Sequence, residues 1–209
     1  MKLFLSSLGI SYEQAPSFVQ LVGKPAYDIR LAFIEYDDGE KGESVHVDEN
    51  RIAIQALGIS VKPIDLNDYK DGLRKEPLLH TLRGCDVIWL GGGNTYYLRW
   101  LLKETRADVI IKGLIERGKI YGGGSAGAIV AGPTLKHFEP ADDPATAPEL
   151  IMTGLGLTDT VVVPHWNNEK FGPAVVKIAE KLKADGYKVQ VITDSQALVI
   201  DGETQEVVP

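Results

Sequence analysis

Residues 121–128 read Tyr-Gly-Gly-Gly-Ser-Ala-Gly-Ala and set Ser125 inside a Gly-x-Ser-x-Gly pattern, after an apolar approach and before a helix-forming run. This order of strand, tight turn and helix is the sequence form of a nucleophile elbow. The turn requires strained backbone angles at the serine, and Gly123 and Gly127 must lack side chains so that the strand and the helix can approach each other. The same letters also fit an ordinary Gly/Ser turn, so the rest of the sequence has to distinguish the two.

The composition is that of a globular α/β domain and limits the classes of function. Of the 209 residues, 44% are hydrophobic and 24% are charged, and a single domain over residues 1–209 is expected. The net charge of −7, with Lys and Arg scattered among acids, argues against a nucleic-acid partner. The apolar runs are too short for a bilayer, and the N-terminus has too short an apolar core for a signal peptide, so we expect no membrane partner and a cytoplasmic location. The single cysteine, Cys85, excludes an internal disulfide and a cysteine-rich metal site.

Short β-branched runs alternate with longer amphipathic stretches, which is typical of a mostly parallel sheet covered by helices on both faces. The predicted strands are residues 3–6, 29–34, 61–64, 87–90, 119–121, 160–163, 189–192 and 197–200, and the predicted helices are residues 47–57, 96–103, 107–117 and 173–185. Asp201-Gly202 then turns the chain toward a last apolar pair, so an antiparallel edge is expected after the parallel part.

A serine hydroxyl is nearly inert at neutral pH and needs a base, most often a histidine, within hydrogen-bond reach. The chain has four histidines. His46 and His80, the latter within a further predicted helical stretch at residues 75–83, are interpreted as solvated or capping residues, and His137 opens an acidic loop. His165 follows an apolar strand and therefore lies at a carboxyl strand end, the edge of a parallel sheet where Ser125 should also emerge.

The third group of such a site must be a carboxylate, and several remain possible. Glu139, Asp142 and Asp143 lie in a proline-rich acidic loop after the serine motif, Glu169 closely follows the histidine, and Asp194 lies at a later strand end. Spacing alone does not choose among these carboxylates.

A second glycine-rich turn, Gly91-Gly92-Gly93-Asn94-Thr95, follows a buried strand and opens a helix. Its backbone N–H groups lie near the positive end of a helix and suit an oxyanion or a phosphate. The Walker lysine and the full Gly-x-Gly-x-x-Gly spacing are missing, so the phosphate interpretation is weak. The turn fits better as half of an oxyanion hole, whose other half would be the backbone N–H of the residue after the serine.

Segments 91–95, 124–128 and 164–168 (Pro-His-Trp-Asn-Asn) together resemble the peptidase E family of serine peptidases, which includes aspartyl dipeptidases and the related cyanophycinases. The resemblance covers nearly the whole chain. It implies a flavodoxin-like three-layer α/β sandwich, similar to class I glutamine amidotransferases, with a mostly parallel sheet and an antiparallel edge. It also implies a monomer or homodimer that needs no cofactor or metal and cleaves short peptides through an acyl-enzyme.

By position, the resemblance implies that Ser125 is the nucleophile and His165 the general base. The backbone amides of Gly92 or Gly93 and of Ala126 would form the oxyanion hole. The acid of this family lies in the loop after the elbow helix.

An aspartate shortly after the Gly-Pro-Thr segment makes Asp142 the choice of acid, with Glu139 as the runner-up. Asn94 and Lys170 are the expected substrate-binding residues. Aspartate-specific members hold the substrate carboxylate with an arginine downstream of the histidine, whereas residues 169–183 of this chain contain lysines but no arginine. Lys170 would offer a point charge instead of a planar fork, so the resemblance does not extend to an aspartate preference.

Two other interpretations of the serine motif stay open. The chain could be a domain of this fold that serves binding or regulation without catalysis, because a fold does not dictate a function. It could also be an esterase of the α/β-hydrolase type, which shares the Gly-x-Ser-x-Gly motif. That fold places its histidine near the end of the chain, and here no histidine follows His165.

Overall fold

The computed structural model describes residues 1–37, 43–72 and 77–209. Within these residues the strands are β1 (Lys2–Ser6), β2 (Arg30–Glu35), β3 (Ser60–Asp65), β4 (Val87–Leu90), β5 (Ile120–Gly124), β6 (Thr160–Val163), β7 (Lys188–Val191), β8 (Ala197–Asp201) and β9 (Thr204–Val208). Seven of them form the main sheet in the order β3-β2-β4-β5-β1-β8-β9, and β6 and β7 pair as a separate two-stranded sheet.

The main sheet is parallel from β3 to β1 and antiparallel at one edge. β1 runs parallel to β5 and antiparallel to β8, and β9 runs antiparallel to β8. The predicted fold class, a mostly parallel α/β sheet with an antiparallel edge, is therefore confirmed. The last two strands of this edge, β8 and β9, are joined where Asp201 pairs with Thr204 across a two-residue turn whose Gly202 has φ +62°, a conformation that glycine adopts readily.

The helices are α1 (Ala15–Val22), α2 (Glu43–Ala56), α3 (Leu78–Arg83), α4 (Thr95–Glu104), α5 (Ala107–Ile115), α6 (Ala126–Val130) and α7 (Gly172–Ala184). They overlap the four amphipathic helices predicted, and α3 and α6 match the helical stretch around His80 and the helix after the serine motif. Helix α1 was not predicted. This helix has only eight residues and begins at a proline-containing first turn, so its apolar period is short. Among the described helices, none combines the length and the hydropathy that a membrane crossing requires.

The two faces of the main sheet carry separate buried clusters, as the side-chain alternation of a strand requires. On β4, Ile88 and Leu90 join the cluster that contains α4 to α7, whereas Val87 and Trp89 join the cluster beneath α1 and α2. All four side chains of β4 are buried, which explains its uninterrupted apolar sequence Val-Ile-Trp-Leu. The result is a three-layer arrangement with the sheet in the middle.

The small β6–β7 sheet is the main departure from the predicted strand layout. The sequence predicted these strands correctly but gave no sign that they pair with each other outside the main sheet. The pairing is parallel, with Val163 opposite Val191, so both strands end at the same edge. The segments that leave β6 and β7 therefore emerge side by side.

Candidate active site

Ser125 occupies the strained turn between β5 and α6. Its backbone angles are φ +50° and ψ −115°, a region in which a residue with a side chain is strained. A Cβ on Gly123 would overlap the carbonyl of Gly127, and a Cβ on Gly127 would overlap the carbonyl of Leu90. Both flanking glycines are therefore required by the close approach of strand and helix, as the motif predicts.

The Ser125 hydroxyl contacts the imidazole of His165. Ser125 Oγ lies 2.9 Å from His165 Nε2, although the two residues are 40 positions apart. His165 follows β6 with φ +62°, and its ring stacks on the Phe171 ring with centroids 5.0 Å apart. The side chain of His165 is 11% exposed. A serine oxygen and an imidazole nitrogen thus meet in a half-buried setting.

The carboxylate on the other side of the imidazole belongs to Asp194. Its Oδ1 lies 2.7 Å from His165 Nδ1. Asp194 follows β7 and is brought to His165 because β6 and β7 are parallel neighbours that end at the same edge. Ser125, His165 and Asp194 therefore form a continuous hydrogen-bonded series.

Further hydrogen bonds hold both oxygens of the Asp194 carboxylate. Ser7 Oγ donates to Oδ1 at 2.6 Å, and Asn168 Nδ2 donates to Oδ2 at 2.7 Å. Burial acts to raise the pKa of Asp194, but the hydrogen bonds from Ser7, Asn168 and His165 outweigh it and hold that pKa below its usual value. The carboxylate is therefore kept ionised beside the imidazole.

The two carboxylates chosen from the sequence lie at other places. Asp142 Oδ2 accepts a hydrogen bond of 3.1 Å from the backbone N–H of Thr95, at the start of α4. Glu139 is exposed, and burial together with the charges of Glu139 and Asp142 raises the pKa of Tyr96. The geometry thus corrects the carboxylate in contact with the imidazole from Asp142 or Glu139 to Asp194.

Asp194 was among the possible carboxylates, but the sequence alone could not distinguish it from the others. The available signal was its position just after the end of a predicted strand, as for His165. Selecting it required knowing that these two strands, separated by α7, are neighbours. Ser7 and Asn168 were not predicted as functional residues. The signal that could have found Ser7 is its position directly after the first strand.

The backbone predicted to form an oxyanion hole adjoins Ser125. A Cβ placed on Gly92 would lie 4.0 Å from Ser125 Oγ, so the backbone of Gly92 lies beside the hydroxyl. Gly93 has φ +119°, and a Cβ on it would strike the hydroxyl of Tyr36. Ala126 is the first residue of α6 and is buried. The N–H groups at the start of a helix have no acceptor within that helix.

Asn94, predicted to bind substrate, lies at the start of α4 with its side chain bonded within the fold. Its Oδ1 accepts hydrogen bonds of 3.0 Å from the backbone N–H groups of Tyr96 and Tyr97. Its Nδ2 donates to the Asp143 carbonyl at 2.9 Å, and the residue is 3% exposed. The structure therefore shows Asn94 as a helix cap and a tether to the acidic loop.

Lys170, the other residue predicted to bind substrate, lies beside the aromatic ring that stacks on the imidazole. Its exposed ammonium group is 4.8 Å from the centroid of the Phe171 ring, which stacks on His165. Its role as a substrate-binding cation stays a prediction. In the described part of the chain, no group of three or more His, Cys, Asp or Glu side chains is arranged to hold a metal ion.

Comparisons with known proteins agree on one family. Residues 12–208 match the model of peptidase family S51. An uncharacterized peptidase of Listeria innocua is 31% identical over 197 residues, which cover 84% of this chain and 89% of the relative. A peptidase E of Shewanella amazonensis is 29% identical over 136 residues, which cover 65% of this chain and 53% of the relative.

A solved structure shares the whole fold. A protein from Listeria monocytogenes, provisionally assigned to peptidase E, matches with a TM-score of 0.81 and 28% identity. The match covers 99% of this chain and 96% of the other.

Proposed function

This chain belongs to peptidase family S51, and from that premise we propose that it is a serine-type peptidase that cleaves short peptides through an acyl-enzyme on Ser125. The observation that carries the proposal is the hydrogen-bonded series from Ser125 Oγ through His165 to Asp194, at 2.9 and 2.7 Å. This arrangement is how a serine hydroxyl becomes a nucleophile near neutral pH.

The imidazole has to accept a proton at Nε2, and its surroundings favour that tautomer. The Asp194 carboxylate is ionised and can only accept, so the proton of neutral His165 resides on Nδ1 and is donated to Oδ1. Nε2 then carries a lone pair that faces Ser125 Oγ. His165 is thereby oriented to act as the general base.

The proposed reaction proceeds in two halves. As His165 Nε2 takes the proton, Ser125 Oγ forms a bond to the peptide carbonyl carbon, and the carbonyl oxygen becomes an oxyanion. The backbone N–H groups of Ala126 and of Gly92 or Gly93 stabilise that charge. The imidazolium then gives its proton to the leaving amine as the C–N bond breaks, and water, activated by the same imidazole, hydrolyses the ester.

Lys170 is the proposed partner for a carboxylate on the peptide. Lys170 is exposed, and its ammonium group lies 4.8 Å from the centroid of the Phe171 ring, which stacks on His165. A lysine supplies a point charge without bidentate geometry. We therefore propose that it favours a free carboxylate without selecting an aspartate side chain.

The test is a comparison of wild type with Ser125→Ala on a dipeptide library that varies the first residue, combined with labelling by a fluorophosphonate. We expect kcat to fall on the order of a million-fold, because the nucleophile of such a unit is removed. We also expect the probe to label wild type on Ser125 and to leave the variant unlabelled. Equal cleavage by the two proteins would overturn the proposal, and an unlabelled wild type would favour a binding or regulatory role.

A further inference from the structure

We propose that Ser7 is a positioning residue of this site, which holds the Asp194 carboxylate and the backbone of His165 in the geometry that activates Ser125. The inference rests on the proposed function, because it assigns Ser7 a role in that same hydrolytic site. Ser7 lies on the Nδ1 side of the His165 imidazole, opposite Ser125. It acts through Asp194 and His165 and not on the substrate.

The Ser7 hydroxyl connects two members of the hydrogen-bonded series. It donates to Asp194 Oδ1 at 2.6 Å and accepts from the backbone N–H of His165 at 2.9 Å. Its oxygen also lies 3.2 Å from His165 Nδ1, farther than the 2.7 Å between Nδ1 and Asp194 Oδ1. The imidazole proton therefore goes to the carboxylate, and the single hydroxyl proton goes to the same carboxylate oxygen.

Ser7 lies at the end of a strand that contacts both parts of the site. It directly follows β1, which lies between β5 and β8 in the main sheet. The preceding residue, Ser6, accepts a hydrogen bond of 3.1 Å at its carbonyl from the backbone N–H of Ser125. Two consecutive residues at the end of β1 thus bind both parts of the site. Ser6 binds the nucleophile, and Ser7 binds the histidine–aspartate pair.

This connection matters because His165 and Asp194 come from the small β6–β7 sheet and Ser125 from the main sheet. A hydrogen bond between Ser125 and His165 requires the two sheets to keep one relative position. Ser7 is fully buried, and its hydroxyl bonds across from the main sheet to both residues of the small one. It therefore ties the two halves of the site to each other.

The backbone of His165 also needs support where Ser7 binds it. With φ +62°, His165 is in the left-handed region, which is unfavourable for a residue with a side chain. The hydrogen bond to Ser7 Oγ holds its N–H, and the next N–H, that of Trp166, donates to the Ile192 carbonyl at 3.0 Å. Loss of the hydroxyl would leave a partly buried N–H without this acceptor.

The main test compares Ser7→Ala, Ser7→Val and Ser7→Thr, because Val and Thr have the same shape and differ by the hydroxyl. We expect Ala and Val to lower kcat about tenfold to a hundredfold with KM unchanged, as a hydrogen bond to a charged group is lost. Ser7→Thr should recover most of the activity. The matched control is Thr160→Val, which removes a buried hydroxyl bonded to Asp159 and Gln205 at the far end of β6, and should keep wild-type kcat.

The titration of the Asp194 carboxyl separates positioning from a merely structural role. Asp194 faces the ionisable imidazole of His165 and the neutral donors of Ser7 and Asn168. Removing one donor from an ionised carboxylate raises the pKa of Asp194, so its carboxyl titration, followed by 13C NMR, should move to higher pH in Ser7→Val but not in Ser7→Thr. A structural defect that does not involve this hydrogen bond would instead leave the Asp194 titration where it is in wild type.

The outcomes distinguish this inference from the proposed function. If the fluorophosphonate labels Ser125 at the same rate in the folded Val and Thr variants, the positioning role is wrong and the hydrolytic function stands. If Ser7→Val does not fold, the labelling rate and the Asp194 titration of Ser7→Ala decide in the same way. If wild type is neither labelled nor active, both proposals fail together.

Discussion

The two glycine-rich turns that precede α4 and α6 use the same local sequence device in opposite ways. Asn94 precedes α4 with relaxed angles of φ −69° and ψ 120°, and its side chain caps that helix. Ser125 precedes α6 with φ +50° and ψ −115°, and its side chain makes no capping hydrogen bond. Its hydroxyl is directed to His165 instead.

The difference shows that a polar side chain at the start of a helix can either cap that helix or point away from it toward another side chain. A capping side chain satisfies the first N–H groups of its helix and gains about 1 kcal/mol. Ser125 makes no such cap and is held in a strained conformation, and the first N–H groups of α6 have no acceptor within that helix. Local strain of this kind is maintained by the packing around it.

The largest effect is expected for the Ser125→Ala variant, which tests whether the Ser125 side chain serves activity and not stability. Its activity should be lost on the order of a million-fold. Its free energy of unfolding should stay near that of wild type, because the hydroxyl caps nothing in α6. Urea denaturation checks this second expectation. A large loss of stability would mean that the Ser125 side chain also supports the fold, as Asn94 does.

The next largest effect is expected at Asp194, whose carboxylate contacts the imidazole beside Ser125. Asp194→Asn should lower kcat about ten-thousandfold, because the amide no longer stabilises the imidazolium or the correct tautomer. Asp142→Asn is the matched control, since the amide oxygen can still accept from the N–H of Thr95, and its kcat should stay close to wild type. Steady-state kinetics on one peptide suffice. The reverse ranking would restore Asp142 as the acid of the site.

A smaller effect is expected at the capped turn. Asn94→Ala should lower the free energy of unfolding by about 1 to 2 kcal/mol, because α4 loses its cap. Asn94→Asp keeps the accepting oxygen and places a negative charge at the helix start, so most of the loss should be recovered. Denaturant titration measures both. A variant that keeps full stability while KM for peptides rises would instead support the predicted substrate contact of Asn94.

The smallest effect is a pH dependence of stability. The pKa of Asp194 is lowered in the folded protein, so its contribution is fully present above the unfolded value of 3.8 and is lost as the pH falls through the lower folded pKa. The stability gap between wild type and Asp194→Asn should therefore shrink below about pH 4. Thermal melts across the acid range test this. A gap that stays constant would show that the carboxylate is not preferentially stabilised as an ion.

Much of the fold was predictable because its signals are local. The buried strand β4 was predicted with its observed bounds, and the strands around it were located to within a few residues, since period-two burial and β-branched runs are visible over short windows. The position of Ser125 was predictable for the same reason, because steric contacts among adjacent residues demand glycines on either side of it. Helix α1 was missed because eight residues carry little periodicity.

Residues of the site were predictable only where their position at the end of a strand was visible in the sequence. The 2.9 Å contact between Ser125 and His165 agrees with the expectation that both leave carboxyl strand ends. The choice of Asp142 failed to identify the contacting carboxylate because it relied on chain order within a loop. That loop lies against α4, where Asp142 binds the N–H of Thr95.

By itself, the sequence determined the strained serine turn, the alternating α/β order and the two apolar faces of the sheet, because sterics and side-chain periodicity act between residues that are close in the chain. Only the tertiary structure decided that β6 pairs with β7, that Asp194 reaches His165 across 29 positions, and that Asn94 caps a helix. The tertiary structure also brought the Ser7 hydroxyl into contact with Asp194 and with the backbone of His165. Strand pairing depends on the burial of whole faces against distant elements, and no short window of sequence contains that information.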